Sequence, residues 1–323
     1  MNAFRRMAAA LACAASLAIP AGVSAAWPEK PIKVIVTFPA GGMTDVLART
    51  VGQKLQERLG QPVIIDNRGG TGGSIGAAAA AKTANDGYNL VFANVGAMTL
   101  NTVLYKNLGY DPLKDFDPVA TVAAVPNFLL VHPDSPYKTL DDLVKAARAK
   151  PGHITYSSTG IGASPWLGSE LLKKMARVDI TEVTFKGAGA ALTAVLGKQT
   201  DWVLDAASAI QMVKGGRARA LGVTSSQRVP AMADVPTIAE QGYPGFDVVA
   251  WYGFWAPAGT PPEVVKRLNA EINAILKLPD VAEKLGGVGA QLMGGSVEDF
   301  RTFHRAEFDK WVTFVKEQGI KPQ

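Results

Sequence analysis

Two rhythms alternate along this chain: short β-branched runs, and longer segments with apolar residues every three or four positions. Residues 32–38 predict a strand and 44–59 the helix after it. Residues 62–66 predict a second strand, 76–83 an alanine-rich helix and 90–94 a buried strand, with a helix opening near Met98. Further on, 139–149 is amphipathic, 153–158 is extended, and Ser164 opens a helix with Pro165 at its first position. Strands are expected at 183–185, 202–204 and 218–224. Thr260 is expected to cap a helix beginning at Pro261 and Pro262, and Ser296 a last helix running to about Gln318. Such alternation marks parallel α/β units.

Two long apolar stretches break the rhythm. Residues 118–131 and 246–257 ("FDVVAWYGFWAP") are extended and read as an outward and a return crossing between two lobes. The first lobe is then 26–125 with 248–323, built from both ends of the chain, and the second is 126–247.

The amino-terminal segment does not read as fold. Arg5 and Arg6 precede an apolar run from Met7 to about Pro20, and Val23-Ser24-Ala25 supplies small residues for cleavage near Ala25, so residues 1–25 predict an export signal. The run is too short to span a bilayer. Cys13 is the sole cysteine and lies inside this leader, with Ala10 where a lipid-attachment signal wants leucine. An exported chain without disulfides relies on its core, and the remaining length is ample for one. Net charge is +5, and +3 without the two leader arginines. Basic residues are scattered among acidic ones without interleaved aromatics, which argues against a nucleic-acid partner.

Catalytic chemistry is thinly represented. His132, His153 and His304 lack carboxylates at metal-ligand spacing and read as ordinary surface or strand residues; no metal and no cofactor is expected. There is no Gly-x-Ser-x-Gly elbow. "RGGTGGSIG" at 68–76 lacks both the Gly-Lys-Ser/Thr ending and the Gly-x-Gly-x-x-Gly spacing of nucleotide loops. What recurs is a strand, a small-residue loop and a helix start: "TFPAGGMTD", "FANVGAMTL", "SSTGIGASPW" and "TFKGAGAAL". Any parallel sheet needs such turns, yet four of them, two in each lobe, place bare peptide N–H groups at positive helix ends on both sides of a cleft. No arginine stands inside them, and Lys186 is the cation nearby.

The wording of the chain resembles the substrate-binding proteins of tripartite tricarboxylate transporters, the Bug family. The stretches that carry the likeness are "FPAGGMTDVLAR", "NRGGTGGSIGA", "NDGYNLVF", "DFDPVA", "FKGAGAAL", "ADVPTIAEQGYPG" and "WYGFWAPAGTPPEVVKRLN", in order from Trp27 to the carboxyl terminus. The resemblance implies an α/β two-lobed periplasmic-binding-protein fold (Venus flytrap, type II-like) with two hinge crossings. It implies a periplasmic, monomeric protein that binds a small carboxylated solute and delivers it to membrane permease subunits. A sensor subunit that presents the bound solute to a membrane signalling partner would share the fold. An exported enzyme has no nucleophile, metal set or paired acid to support it.

Carried onto this sequence, the first-lobe grip is Phe38, Pro39, Gly41, Gly42, Thr44 and Asp45, joined by Gly96, Ala97 and Met98. Its second-lobe partner is Ser158, Thr159, Gly160, Ile161, Gly162, Ala163 and Ser164, with Trp166, Phe185, Lys186 and Asp205. Asp45 is expected to cap its helix or orient the loop instead of meeting a ligand's charge. Asp205 either meets an amino group, bridges through water or caps a helix beginning at Ala206. Family members often read Gly-Asn-Gly-Ser and then His in the second-lobe loop; here Ile161 and Trp166 take the Asn and His places. If Trp166 lines the cleft, the site favours an aromatic carboxylate or a longer aliphatic dicarboxylate; the alternative is that it packs inside the lobe.

Overall fold

The computed structural model describes residues 27–206, 208–317 and 319; the predicted leader and Gln318 lie outside them. Eleven strands are present among these residues: β1 (Ile32–Val36), β2 (Val63–Asn67), β3 (Asn89–Asn94), β4 (Phe116–Pro126), β5 (Phe128–Val131), β6 (Thr155–Ser158), β7 (Thr181–Thr184), β8 (Trp202–Asp205), β9 (Arg219–Val223), β10 (Val249–Pro257) and β11 (Gln291–Leu292). The α-helices are α1 (Met43–Leu59), α2 (Ser74–Ala80), α3 (Asn101–Leu104), α4 (Leu140–Ala149), α5 (Ser164–Ala176), α6 (Ala188–Leu196), α7 (Ala209–Lys214), α8 (Pro262–Leu276), α9 (Pro279–Gly286) and α10 (Val297–Glu317).

The strands form two sheets, ordered β11-β4-β10-β3-β1-β2 and β7-β6-β8-β5-β9. Both follow one plan. Three strands pair in parallel, as β1 does with β2 and β3 and β6 does with β7 and β8. A strand arriving from the other half then inserts antiparallel: β10 between β3 and β4, β5 between β8 and β9. The sheets are therefore mixed, where the sequence pattern predicts parallel units. A strand crossing from the facing sheet enters at the end where the parallel strands finish, so it must run against them.

Side-chain alternation assigns the core. In β5, Phe128 and Leu130 face one apolar cluster with Val203 and Val223, while Leu129 and Val131 face another with Tyr156 and Trp202. In β1, Val34 and Val36 pack with Leu47 and Val51 of α1 and Leu268 of α8, and Ile35 turns to the opposite face. With both faces covered, these strands read as near-continuous apolar runs. The largest cluster joins the two sheets, bringing Trp166 and Leu167 of α5 together with Trp251, Trp255, Phe300 and Trp311.

The chain leaves the first sheet at Asn127 and returns at Val248. Thr224 ties the two passages together: its Oγ1 accepts from Asn127 N (2.8 Å), its N–H donates to Asn127 O (2.9 Å) and its carbonyl accepts from Val248 N (2.9 Å). Helix α10 braces this region, since Glu307 Oε2 accepts from both Trp251 Nε1 (3.0 Å) and Trp311 Nε1 (2.8 Å). No helix among the described residues is long and apolar enough to cross a membrane.

Several local expectations need correction. Thr260 does not cap α8; its hydroxyl donates to Pro257 O (2.7 Å), and Pro261 holds the cap position. Ser164 is the first helical residue, with Ala163 before it, and its Oγ accepts from Asn127 Nδ2 (3.3 Å). The predicted helix near Met98 is a π-turn, Gly96–Leu100, followed by α3. Ser296 does cap α10, accepting from Asp299 N (3.1 Å) while Asp299 Oδ2 accepts from Ser296 N (2.8 Å).

Candidate ligand-binding site

The loop between β1 and α1 is held from below by a carboxylate. Asp45 is buried and accepts from Gly41 N (3.0 Å), Arg49 Nε (2.9 Å) and Asn67 Nδ2 (2.9 Å). Asn67 Nδ2 also donates to Phe38 O (3.0 Å), so both sides of the loop are tied to the end of β2. Burial pushes the Asp45 carboxyl upward, but Arg49, the Gly41 amide and Asn67 outweigh it and hold its pKa below the ordinary value. Asp45 thus orients the loop; it does not cap the helix. The Gly41 N–H, expected to be free for a ligand, is engaged by this carboxylate. The N–H groups of Ala40, Gly42, Met43 and Thr44 find no acceptor among the described residues, as the first turn of a helix leaves them. Pro39, Gly41 and Gly42 are exposed, Phe38 is half-buried and Thr44 is buried.

The π-turn places the second first-lobe segment. Two consecutive carbonyls are taken by side chains: Tyr110 Oη donates to Ala97 O, and His304 Nε2 donates to Met98 O (2.8 Å). A carbonyl only accepts, so His304 carries its proton on Nε2. Burial lowers its pKa and keeps the ring neutral, whereas burial raises Tyr110 to about 12. His304 is accordingly a buried residue against Trp251, Trp255 and Phe300, not the surface position its sequence context suggested. Ala97 and Met98 are fully buried. Gly96 is the member of this trio that faces the second-lobe loop: a methyl built on it would stand 2.9 Å from Gly162 O and 3.7 Å from Gly72 O.

On the second-lobe side, the loop after β6 folds over its own strand end, with Ser158 Oγ accepting from Gly160 N (2.7 Å). Gly160 and Gly162 both have positive φ (91° and 96°), which only glycine adopts without strain. The N–H groups of Thr159, Ile161, Gly162 and Ala163 have no acceptor among the described residues. Ile161 is exposed at 38%. In the neighbouring loop Phe185 packs partly into the core, Lys186 is exposed and forms no ion pair among the described residues, and Lys186 together with Ala188 and Gly189, the first two residues of α6, leave their N–H groups without an acceptor among the described residues.

Two second-lobe candidates prove to be interior. Trp166 is 3% exposed within the core cluster that joins the sheets, because the first turn of α5 presents its large residues inward. Asp205 is buried at the end of β8 and accepts from Ser208 N (3.1 Å) and Ser208 Oγ (2.8 Å), ordering the turn before α7, which begins at Ala209 and not at Ala206. Burial raises its carboxyl pKa above the ordinary value despite those donors. A raised carboxyl pKa adds stability below the unfolded-state value near 3.8 and loses it as pH rises through the folded value. We expect Asp205→Asn to match or exceed the parent in urea stability at pH 7, with the advantage vanishing below about pH 4; chemical denaturation across that range checks it.

Four residues contribute that the sequence pattern does not mark as site residues. Asn67 closes the loop network described above. Gly72 and Gly73, in the glycine run without a nucleotide spacing, lie against Asn101 and Phe38 respectively. Asn101 is fully buried, and its Nδ2 donates to Gly72 O (3.0 Å) and Ser74 Oγ (2.8 Å). Its oxygen has no partner among the described residues. "NRGG" entered only as part of the family likeness and "LNT" carries no motif; Asn67 closes β2 and Asn101 opens α3, positions that no spacing pattern singles out.

Comparison with known proteins places this geometry. The model of the "Tripartite tricarboxylate transporter family receptor" matches residues 47–320. Protein BugT of Bordetella pertussis is 36% identical over 99% of both chains. Among solved structures, R. palustris Rpa4515 with adipate is 36% identical with a TM-score of 0.84, covering 92% of this chain and 100% of its own. MatC from Rhodopseudomonas palustris with bound malate is 33% identical with a TM-score of 0.79, covering 90% of this chain and 100% of its own. The fold is thus that of the two-lobed periplasmic binding proteins, and this chain belongs to the tripartite tricarboxylate transporter receptor family, among the Bug proteins.

Proposed function

We propose that this protein is a periplasmic solute-binding protein that captures a small carboxylate for a tripartite tricarboxylate-type transporter, without catalysing a reaction on it. The observation that carries this reading is the pair of open peptide N–H sets, at the start of α1 and at the loops before α5 and α6. Each aligned helix start adds roughly 0.3–1 kcal/mol for an anion, more where water is excluded. The adipate and malate bound by solved relatives are carboxylates of the size such a gap suits. Taking the lobes as 26–125 with 248–323 and 126–247, the ligand sits first on the α1 loop, and the second lobe closes over it about the Asn127 and Val248 passages.

With Trp166 turned inward, one of the two supports for an aromatic guest falls away. The exposed Ile161 side chain still offers an apolar contact, so an aliphatic dicarboxylate of several carbons is favoured over a benzoate-type acid. Export with cleavage near Ala25, action as a monomer and hand-over to membrane permease subunits complete the reading.

A thermal-shift panel of mono- and dicarboxylates, with sugars and amines as controls, tests it. At 100 times its dissociation constant the right acid adds about 2.7 kcal/mol, raising Tm by roughly 5–10 °C in a chain of this size. A panel in which a neutral or cationic compound shifts Tm and no carboxylate does overturns the reading.

A further inference from the structure

A small surface joins the two halves of the site. A methyl built on Gly162, in the second-lobe loop, would stand 3.1 Å from Leu104 Cδ1 and 3.5 Å from Asn101 Oδ1; Gly162 O itself lies over Gly96. Gly96, Asn101 and Leu104 all belong to the π-turn and α3 of the first lobe. This seat is fixed from beneath. The Asn101 amide cannot be turned over, because its Nδ2 meets the carbonyls of Gly72 and Thr71, which can only accept. Its Oδ1 is therefore left facing Gly162, buried and without a donor. What meets this seat is the bare Cα of Gly162, with room for no more than a hydrogen between it, Oδ1 and the Leu104 side chain.

We infer that Gly162 is the latch by which the second lobe seats on the first, with Asn101 and Leu104 as positioning residues that receive it. The inference rests on the carboxylate-capture reading for its affinity arm. Closure needs contacts made better in the closed form than in the open one, and the apparent affinity of a solute scales with the fraction of protein able to close. At this seat the closing contact is between the lobes themselves, so solute affinity depends on how Gly162 packs against the first lobe in addition to any bond its loop makes to the solute. Glycine is favoured here: its φ of 96° disfavours any side chain, and a methyl would press on Leu104 Cδ1 at 3.1 Å, so that side chain would have to give.

The test uses Gly162→Ala, Leu104→Val, which removes the Cδ1 the new methyl would meet, and the double variant. Titration calorimetry with adipate and L-malate is combined with small-angle scattering of free and solute-saturated protein. Gly162→Ala is expected to weaken binding at least tenfold and to lose the solute-induced decrease in radius of gyration. The double variant is expected to regain at least threefold of that loss and the compaction with it, a rescue that mere loop damage would not show. A Kd for Gly162→Ala within twofold of the parent, or a double variant no better than the single one, overturns the latch while leaving carboxylate capture intact. If the parent binds no carboxylate at all, capture fails instead. The scattering of free protein then decides the latch, which is overturned if Gly162→Ala and parent curves coincide.

Discussion

Replacing Gly42 by isoleucine should abolish measurable carboxylate binding, a loss of at least about a hundredfold or ~2.7 kcal/mol, while leaving Tm within a few degrees. The fold has no need of glycine there. Gly42 has φ −83° and ψ 172°, ordinary extended backbone, and an added Cβ would meet nothing nearer than Pro39 O at 3.8 Å. A β-branched residue is at home in that conformation and restricts the unfolded chain more than glycine does. Its side chain would instead cover the open N–H groups of Met43 and Thr44, which the account assigns to the solute. Gly41 makes the contrast: its φ is +87° and its N–H binds Asp45. Gly41→Ile is therefore expected to lower Tm as well as affinity. Calorimetric titration beside thermal melts separates the two, and full affinity in folded Gly42→Ile protein would contradict the amide grip.

The largest expected loss of stability is at Gly76. A methyl there would lie 2.5 Å from Arg68 O and 2.9 Å from Thr37 Cα, both backbone atoms that cannot swing aside. Gly76 lets α2 settle directly on the ends of β1 and β2, where the ligand loop begins. Gly76→Val must lift the helix or break these contacts. Overpacking of this kind costs about 3 kcal/mol or more, a fall in Tm of roughly 6–12 °C in a chain of this size. Because Thr37 leads straight into Phe38 and Pro39, solute affinity should fall with it. A melt of Gly76→Val indistinguishable from the parent would mean that α2 does not seat as described.

Much of this architecture was legible in the chain. The strand–loop–helix rhythm located seven of the strands to within a few residues, and the two extended crossings cover β4, β5 and β10, because strands covered on both faces are apolar along their whole length. Ser296 as the cap of α10 is a local signal that the structure bears out, with Asp299 completing the pair. Thr260 carries the same type of signal but sits before two prolines, and its hydroxyl turns back to Pro257 instead. The antiparallel sense of β5 and β10 depends on where the chain comes from, which periodicity does not encode. The short β11 has two residues and no periodicity to read.

The site was legible as loops and not as surfaces. Residues 38–45 and 158–164 stood out by composition, yet which side of a loop or helix turn meets the cleft depends on packing between elements far apart in sequence. Trp166 entered as a candidate because it stands in the family's His place, with packing inside the lobe as the open alternative; α5 takes the latter, its Gly168 lying against Leu204, Thr224 and Val248. Asn67 and Asn101 were silent for a related reason. An asparagine that ties loops together carries no spacing motif, and each draws its partners from segments some twenty to thirty residues away. His304 reads as an amphipathic-helix residue until the π-turn that it holds is placed 206 positions earlier.

The most direct measurement is a crystal structure of the protein with the tightest-binding acid of the panel. The expected result is a carboxylate whose oxygens lie within about 3.2 Å of peptide nitrogens from the Gly42–Thr44 turn, with the Ile161–Ala163 loop facing it. A carboxylate held instead by Lys186 or another side-chain cation, with those peptide groups turned away or bonded elsewhere, would contradict it.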